Sequence, residues 1–270
     1  MIDYIVPPSL ITLTTDFGLA DHYVGVMKGV IAGINPEARV IDVSHQVGAY
    51  RIAEGAFLVA QAYRYFPEGT VHVVVVDPGV GSQRRPILAA AGGHWFVAPD
   101  NGVLSQVYER ENPVVRAIEA ERYALRPISQ TFHGRDVFAP VAAWLSKGTP
   151  QEEFGEVIED YVRLPSTLPV EVEPGHWRGR ILHVDRFGNL VTSFAPALLG
   201  PRSGGFRLLV GRLEAVRSAE AYALAPPGEP FAIAGSSGYL EVSINQGSAA
   251  ELAGVEVGDE ATLIVGGLGS

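Results

Sequence analysis

Apolar positions in the first 150 residues alternate between strand-like runs and helix-like stripes. Leu10 to Thr14 reads as a buried strand. From Tyr23 to Ile34, the residues Val24, Met27, Ile31 and Ile34 fall on one face of a helix, which Pro36 stops. Arg39 to Val43 predicts a second strand, and an apolar-striped helix follows from Ile52 to Tyr65. After the turn Pro67-Glu68-Gly69 comes a third strand, Val71 to Val76. Ile87 to Ala91 and Trp95 to Ala98, joined through Gly92-Gly93, predict a hairpin. A last helix runs from about Asp136 to Lys147, with Pro140 tolerated near its first turn. Strands alternating with helices predict a three-layer α/β domain with a mostly parallel sheet over residues 1–164.

The pattern then changes. Pro165, Pro169 and Pro174 punctuate a stretch that suits an extended linker, residues 165–177. Residues 178–270 carry short β-like runs at Gly179–Val184, Leu190–Ser193, Phe206–Val210, Phe231–Ala234, Tyr239–Ser243 and Ala261–Val265. Turn residues separate them and no long helix intervenes, which predicts a small antiparallel β-barrel. The segment Ala249 to Val265 superficially resembles the end of a peptide-binding PDZ domain. A turn feeding the last barrel strand is the simpler reading.

The 270 residues are 47% hydrophobic and 19% charged, the balance of a packed globule rather than a disordered chain. With no cysteine, disulfides, thiolate metal sites and a cysteine nucleophile are excluded. A net charge of −10 with dispersed arginines argues against nonspecific nucleic-acid binding. The first residues lack the basic start and apolar core of a signal peptide, and no apolar run is long enough to span a bilayer. The expectation is a cytoplasmic protein that binds neither membrane nor nucleic acid.

Candidate chemistry concentrates in a few places. The strand Val71–Val76 runs into Asp77, then Pro78-Gly79-Val80-Gly81, then Arg84 and Arg85. A carboxylate at the C-terminal end of a buried strand sits where open α/β sheets place their ligands. An arginine beyond a turn can return to that carboxylate, either for catalysis or as a structural ion pair. Asp16 ends the first strand and Asp21 precedes the first helix. They suit a ribose diol or a divalent cation, or else an Asx turn and a helix cap. His133, between Phe132 and Gly134, is placed to take a proton near neutrality, and the glycine is expected to leave open space beside it. Asp185-Arg186-Phe187-Gly188-Asn189 reads as a hairpin turn. Alternatively, Asn189 reads a base edge, Phe187 covers a flat ring and Asp185 faces an ammonium. Ser236 and Ser237 offer hydroxyls to a carboxylate. The glycines after Asp77 match neither a P-loop nor a dinucleotide fingerprint, and neither a Gly-x-Ser-x-Gly elbow nor an HExxH helix is present.

Taken together, six stretches in order resemble one family. They are Thr14-Thr15-Asp16-Phe17-Gly18 with Asp21, Ile41-Asp42-Val43-Ser44-His45, Val76 to Gly81, Thr131 to Asp136, Asp185 with Phe187-Gly188-Asn189, and Ser236 to Leu240. The family is the adenosine-forming S-adenosyl-L-methionine (SAM) hydrolases, or SAM hydroxide adenosyltransferases, relatives of the fluorinase and chlorinase. The resemblance implies hydrolysis of SAM to adenosine and methionine without a cofactor or metal. It also implies a homotrimer with sites between neighbouring subunits. It places a water-activating set on Asp77, Arg84 and His133, with Arg85 as the competing guanidinium. Asp16 would hold the ribose, Tyr50 and Phe132 would wall the sugar side, and Gly134 would border the nucleophile. Asn189 and Phe187 would hold adenine, Asp21 and Asp185 the methionine ammonium, and Ser236 and Ser237 its carboxylate. Asp77 and Val80 stand where the fluorinase has tyrosine and threonine, and Gly134 where it has serine; these differences favour water over halide, whereas Ser237 in place of an arginine weakens the hold on the substrate carboxylate. A SAM- or adenosine-binding module and a metal-dependent nucleoside hydrolase are the alternatives.

Overall fold

A computed structural model describes residues 9–119, 122–200 and 205–266. The chain divides into two compact units, Met1–Pro165 and Ser166–Ser270. It is a mixed α/β protein with two sheets. Among the described residues, no helix is long and apolar enough to cross a membrane.

The first unit contains β1 (Leu10–Thr15), α1 (Tyr23–Ile34), β2 (Arg39–Ser44), α2 (Ile52–Ala62), β3 (Val71–Val75), β4 (Pro86–Ala91), β5 (His94–Pro99), α3 (Ser105–Tyr108), β6 (Val114–Ala117) and α4 (Ala139–Ser146). The sheet order is β2-β1-β3-β5-β4-β6. The first four strands in that order are parallel, and β4 runs antiparallel to both β5 and β6. Every residue of β3 is buried, as a strand covered on both faces requires. Its side chains alternate between two cores: Val71, Val73 and Val75 join α1 and α4, whereas Val74 and Val76 join α2 and the start of α3. From β1 the chain moves outward to β2, then returns across β1 to β3. The order therefore reverses between β1 and β3, the place where such sheets open a crevice at their C-terminal ends. Thr15 pairs with Val75, so Asp16 and the Val76–Asp77 step leave adjacent strands side by side.

The expected last helix begins differently. A π-helical turn, Gly134–Phe138, runs into α4, and Pro140 lies within the first two positions of α4. The expected helix to Tyr65 ends at Ala62 and tightens into a 3-10 turn, Tyr63–Tyr65.

The second unit contains β7 (Val170–Glu173), β8 (His176–Val184), β9 (Leu190–Thr192), β10 (Phe206–Val210), β11 (Leu213–Ala215), β12 (Ser218–Ala219), β13 (Pro230–Ala234), β14 (Leu240–Ile244), α5 (Ala249–Ala253) and β15 (Glu260–Val265). Their order is β11-β10-β15-β8-β9-β14-β13-β12, with β7 also on β8. All pairs are antiparallel except β12 with β13. Two expectations change here. The stretch read as a linker contains β7 and the start of β8, so residues 170–177 belong to the second sheet. The turn expected before the last strand is a short helix, α5. Ser248 caps it through the Glu251 N–H, and Gly254 ends it in the left-handed region.

Candidate active site

Beyond β3 the chain folds back through two tight turns, in which Val80 N–H bonds the Asp77 carbonyl and Ser82 N–H bonds Gly79. Gly81 adopts φ of +77°, and a Cβ there would lie 2.2 Å from the Gln130 carbonyl oxygen. The turn therefore docks directly on the backbone three residues before His133. This reversal returns Arg84 to Asp77. Its Nε donates to Asp77 Oδ1 at 2.9 Å, and its Nη2 donates to Oδ2. The pair is buried, with side chains 5% and 8% exposed. Arg84 Nη2 also donates to His133 Nδ1 at 2.7 Å. The Arg84 guanidinium rests over the Phe138 ring at 5.3 Å, and its buried Nη1 has no partner among the described residues. Arg85 turns away to Asp100, at 3.1 and 2.8 Å, and to Asp160 at 2.9 Å. The geometry thus separates the two arginines.

A guanidinium only donates, so His133 Nδ1 must accept with its lone pair. In the neutral imidazole the proton then sits on Nε2. Burial, and next the Arg84 charge, push the His133 pKa below its ordinary value. Asp77, Asp136 and the Ser129 carbonyl pull weakly the other way. His133 is consequently a neutral ring whose Nδ1 is already occupied.

The other candidates of the first unit have their own surroundings. Asp16 accepts the Tyr50 N–H at 3.0 Å through Oδ2. Tyr50 is held at φ of +66° with its ring 73% exposed. Asp21 is exposed. It does not cap α1, whose N-cap position is His22. Phe132 is buried edge-on against Tyr23 and Phe17, at 5.0 and 5.9 Å between ring centroids. The expectation of open space at Gly134 is corrected. A Cβ there would meet Phe132 at 3.1 Å, Met27 at 3.2 Å and Phe17 at 3.3 Å, so packed side chains already crowd the position.

In the second unit, the Asp185–Asn189 hairpin is built as a turn. Asp185 Oδ1 accepts from the N–H groups of Phe187 and Asn189 at 2.8 and 2.9 Å, and Oδ2 accepts from Asn189 Nδ2 at 2.8 Å. The turn also walls a cavity of about 450 Å³ together with Tyr222, Ile244, Asn245, Gln246 and Gly247. Phe187 stands at its rim, 77% exposed. Tyr222 and Gln246 escaped sequence reasoning. Tyr222 Oη donates to buried Glu241 at 2.7 Å; burial first, then that carboxylate, raise the phenol pKa. Ser236 and Ser237 lie in the β13–β14 turn, outside the cavity lining. Among the described residues, no group of three or more His, Asp or Glu side chains could hold a metal ion.

Comparison with known proteins adds a consistent set of likenesses. Residues 11–155 match the SAM hydroxide adenosyltransferase N-terminal domain, and residues 179–262 match the C-terminal domain of that family. The chain is 41% identical to an (R)-S-adenosyl-L-methionine hydrolase of Salinispora tropica, over 96% of this chain and 99% of that protein. It is also 41% identical to one of Thermus thermophilus, over 90% and 95% respectively. A crystal structure of an uncharacterized conserved protein from Thermotoga maritima superposes with a TM-score of 0.87 at 38% identity, covering 94% of this chain and 99% of that one.

Proposed function

The chain belongs to the SAM hydroxide adenosyltransferase family, and on that premise we propose that it hydrolyses S-adenosyl-L-methionine to adenosine and L-methionine. The observation that carries the reading is the Arg84 guanidinium, held by Asp77 and His133 with its Nη1 buried and unpartnered among the described residues. A buried donor without a partner is costly, and a water or hydroxide oxygen would satisfy it.

The sulfonium of SAM leaves without acid assistance, so the task is to place and activate water. Water held by the Asp77 carboxylate and Arg84 Nη1 attacks C5′ in line with sulfur, from about 3–3.5 Å. The C5′–O bond forms as C5′–S breaks, and the electron pair goes to sulfur as the neutral thioether of methionine. The proton of water passes to Asp77 and then to solvent. In this reading His133 does not take the proton. With Nδ1 accepting from Arg84, it has no free lone pair for the proton, and it orients the guanidinium instead. A carboxylate beside the nucleophile repels halide anions, which favours water. The Asp16 carboxylate, at the C-terminal end of β1, suits the ribose hydroxyls. The cavity walled by Phe187 and Asn189 suits adenine, and Asp21 and Asp185 suit the methionine ammonium. Ser236 and Ser237 remain candidates for the methionine carboxylate. A three-layer first domain, a closed barrel in the second and a homotrimer with sites between neighbouring copies complete the proposal. Sizing chromatography at monomer mass would contradict the trimer.

Single-turnover reaction with SAM in H₂¹⁸O tests the chemistry. Adenosine carrying ¹⁸O at its 5′ oxygen, together with methionine, is the expected result. Free adenine, with activity lost to a chelator, would mark a metal-dependent nucleoside hydrolase, and bound SAM without product would mark a binding module.

A further inference from the structure

The motif Ile41-Asp42-Val43-Ser44-His45 has no part in the chemistry above, yet it is wired to the strand end that carries Asp16. Along the β1–β2 pair, Leu13 opposes Asp42 but Thr14 opposes Ser44, so Val43 is an extra residue on β2. Such a bulge re-aims the side chains on either side of it. His45, buried just beyond β2, has Nδ1 2.9 Å from the hydroxyl of fully buried Thr15. Its Nε2 lies 3.0 Å from Asp42 Oδ1, an ion-pair separation at an oblique N–H angle. Asp42 Oδ2 accepts from Lys28 Nζ at 2.6 Å.

The polarity of this chain follows from its ends. An ionised carboxylate only accepts, so a ring proton belongs on the facing Nε2, and Nδ1 is left to accept from the Thr15 hydroxyl. The Thr15 hydroxyl oxygen in turn accepts the Phe17 N–H at 3.3 Å. The His45 carbonyl accepts the Gly18 N–H at 2.8 Å. Both amides that follow Asp16 are therefore fastened to Thr15 or His45.

We propose that His45 is a positioning residue for the nucleoside ribose: the Lys28–Asp42–His45–Thr15 relay fixes the Asp16–Gly18 turn so that the Asp16 carboxylate meets the sugar diol. The inference rests on the reading of Asp16 as the ribose ligand. The relay touches no reacting atom, so its loss weakens substrate binding and leaves the chemical step intact.

The test compares KM and kcat for SAM in Asp16→Asn, Thr15→Val, Thr15→Ser and Asp42→Asn proteins, with the 2′-deoxyribose analogue of SAM as a second substrate. Thr15→Val removes the hydroxyl and keeps the shape; KM is expected to rise about tenfold, with kcat little changed. Thr15→Ser restores the hydroxyl and wild-type KM. Asp42→Asn lies at a half-exposed position and leaves the fold intact even if Thr15→Val does not; its KM rises in the same direction. In both weakened variants the preference for SAM over its deoxy analogue shrinks, which a merely structural loss would not produce. If Asp16→Asn raises KM while Thr15→Val and Asp42→Asn stay at wild type, the relay is overturned and the ribose reading stands. If Asp16→Asn leaves KM unchanged, the ribose reading itself fails. A fall in kcat at constant KM in the relay variants also overturns the proposal.

Discussion

Asp77→Asn is the most informative single change. Two Arg84 donors meet the two Asp77 oxygens, Nε at 2.9 Å and Nη2 beside it, within a pair that is 5% and 8% exposed. The amide keeps the shape, but it turns one acceptor into an N–H₂ facing an N–H and removes the counter-charge. Breaking a buried pair costs about 3–5 kcal/mol. His133 Nδ1 still holds Arg84 at 2.7 Å, which places the loss toward the lower figure. At that size a unit of this length melts roughly 6–12 °C lower. The water also loses its proton acceptor, so kcat should fall about 10²–10⁴-fold, roughly 3–5.5 kcal/mol of barrier. Single-turnover release of adenosine, followed by chromatography at 25 °C beside a thermal melt, reads both quantities. A protein that melts early yet turns over within about threefold of wild type would make Asp77 purely structural and refute the mechanism.

Arg85→Ala separates the neighbouring guanidiniums. It strips buried Asp100 of its counter-charge and leaves it the Val162 N–H on Oδ1. The change should cost about 1–3 kcal/mol in urea unfolding with kcat unchanged; a catalytic loss would reassign the arginine. Phe187→Ala removes a ring that is 77% exposed, so melting should hold while KM for SAM rises about tenfold; an unchanged KM removes Phe187 from the base site. His72 is buried between the Thr12 hydroxyl at 2.7 Å and His94 at 3.2 Å, and burial first, then His94, push its pKa from 6.5 to about 3. The unfolded chain protonates this ring near 6.5 and the folded one does not until about 3, so its stabilisation is complete above 6.5 and is lost as pH falls through that window. By pH 5 the loss is about 2 kcal/mol from this group alone. His94 and His133 shift in the same direction and add to it. Urea midpoints at pH 7 and 5 should differ accordingly, and His72→Asn should differ less; equal sensitivity in the two proteins would exclude His72 as the cause.

Much of the first unit was legible because its strands are buried on both faces and its helices carry one apolar stripe. The helix Tyr23–Ile34 has the bounds its pattern predicts, and the aspartate closing the Val71–Val76 run does stand at the sheet's reversal point. The rest was hidden for identifiable reasons. β7 does alternate, Val170-Glu171-Val172-Glu173, but its four residues are all exposed and lie between Pro169 and Pro174, so the prolines outweigh so short a signal. The π turn at Gly134 has no period of its own over five residues. The packing at Gly134 depends on Phe17 and Met27, more than 100 positions away, and a lone glycine beside a histidine cannot reveal such neighbours. Tyr222 and Gln246 reach the Asn189 cavity only because β9, β14 and β13 lie together in the second sheet. The direction of the Arg84–His133 bond also needed coordinates, since which ring nitrogen faces a donor is a matter of rotamer.

The absent side chain at position 81 has a reach beyond its own turn. Because the loop after β3 lies flush against the Gln130 carbonyl, the segments that deliver Arg84 and His133 are seated on one another like two halves of a clasp. Any methyl at that seam would pry the halves apart without contacting a nucleoside. The proposed set of Asp77, Arg84 and His133 therefore assembles only once both distant segments have closed, and a half-folded chain would lack it.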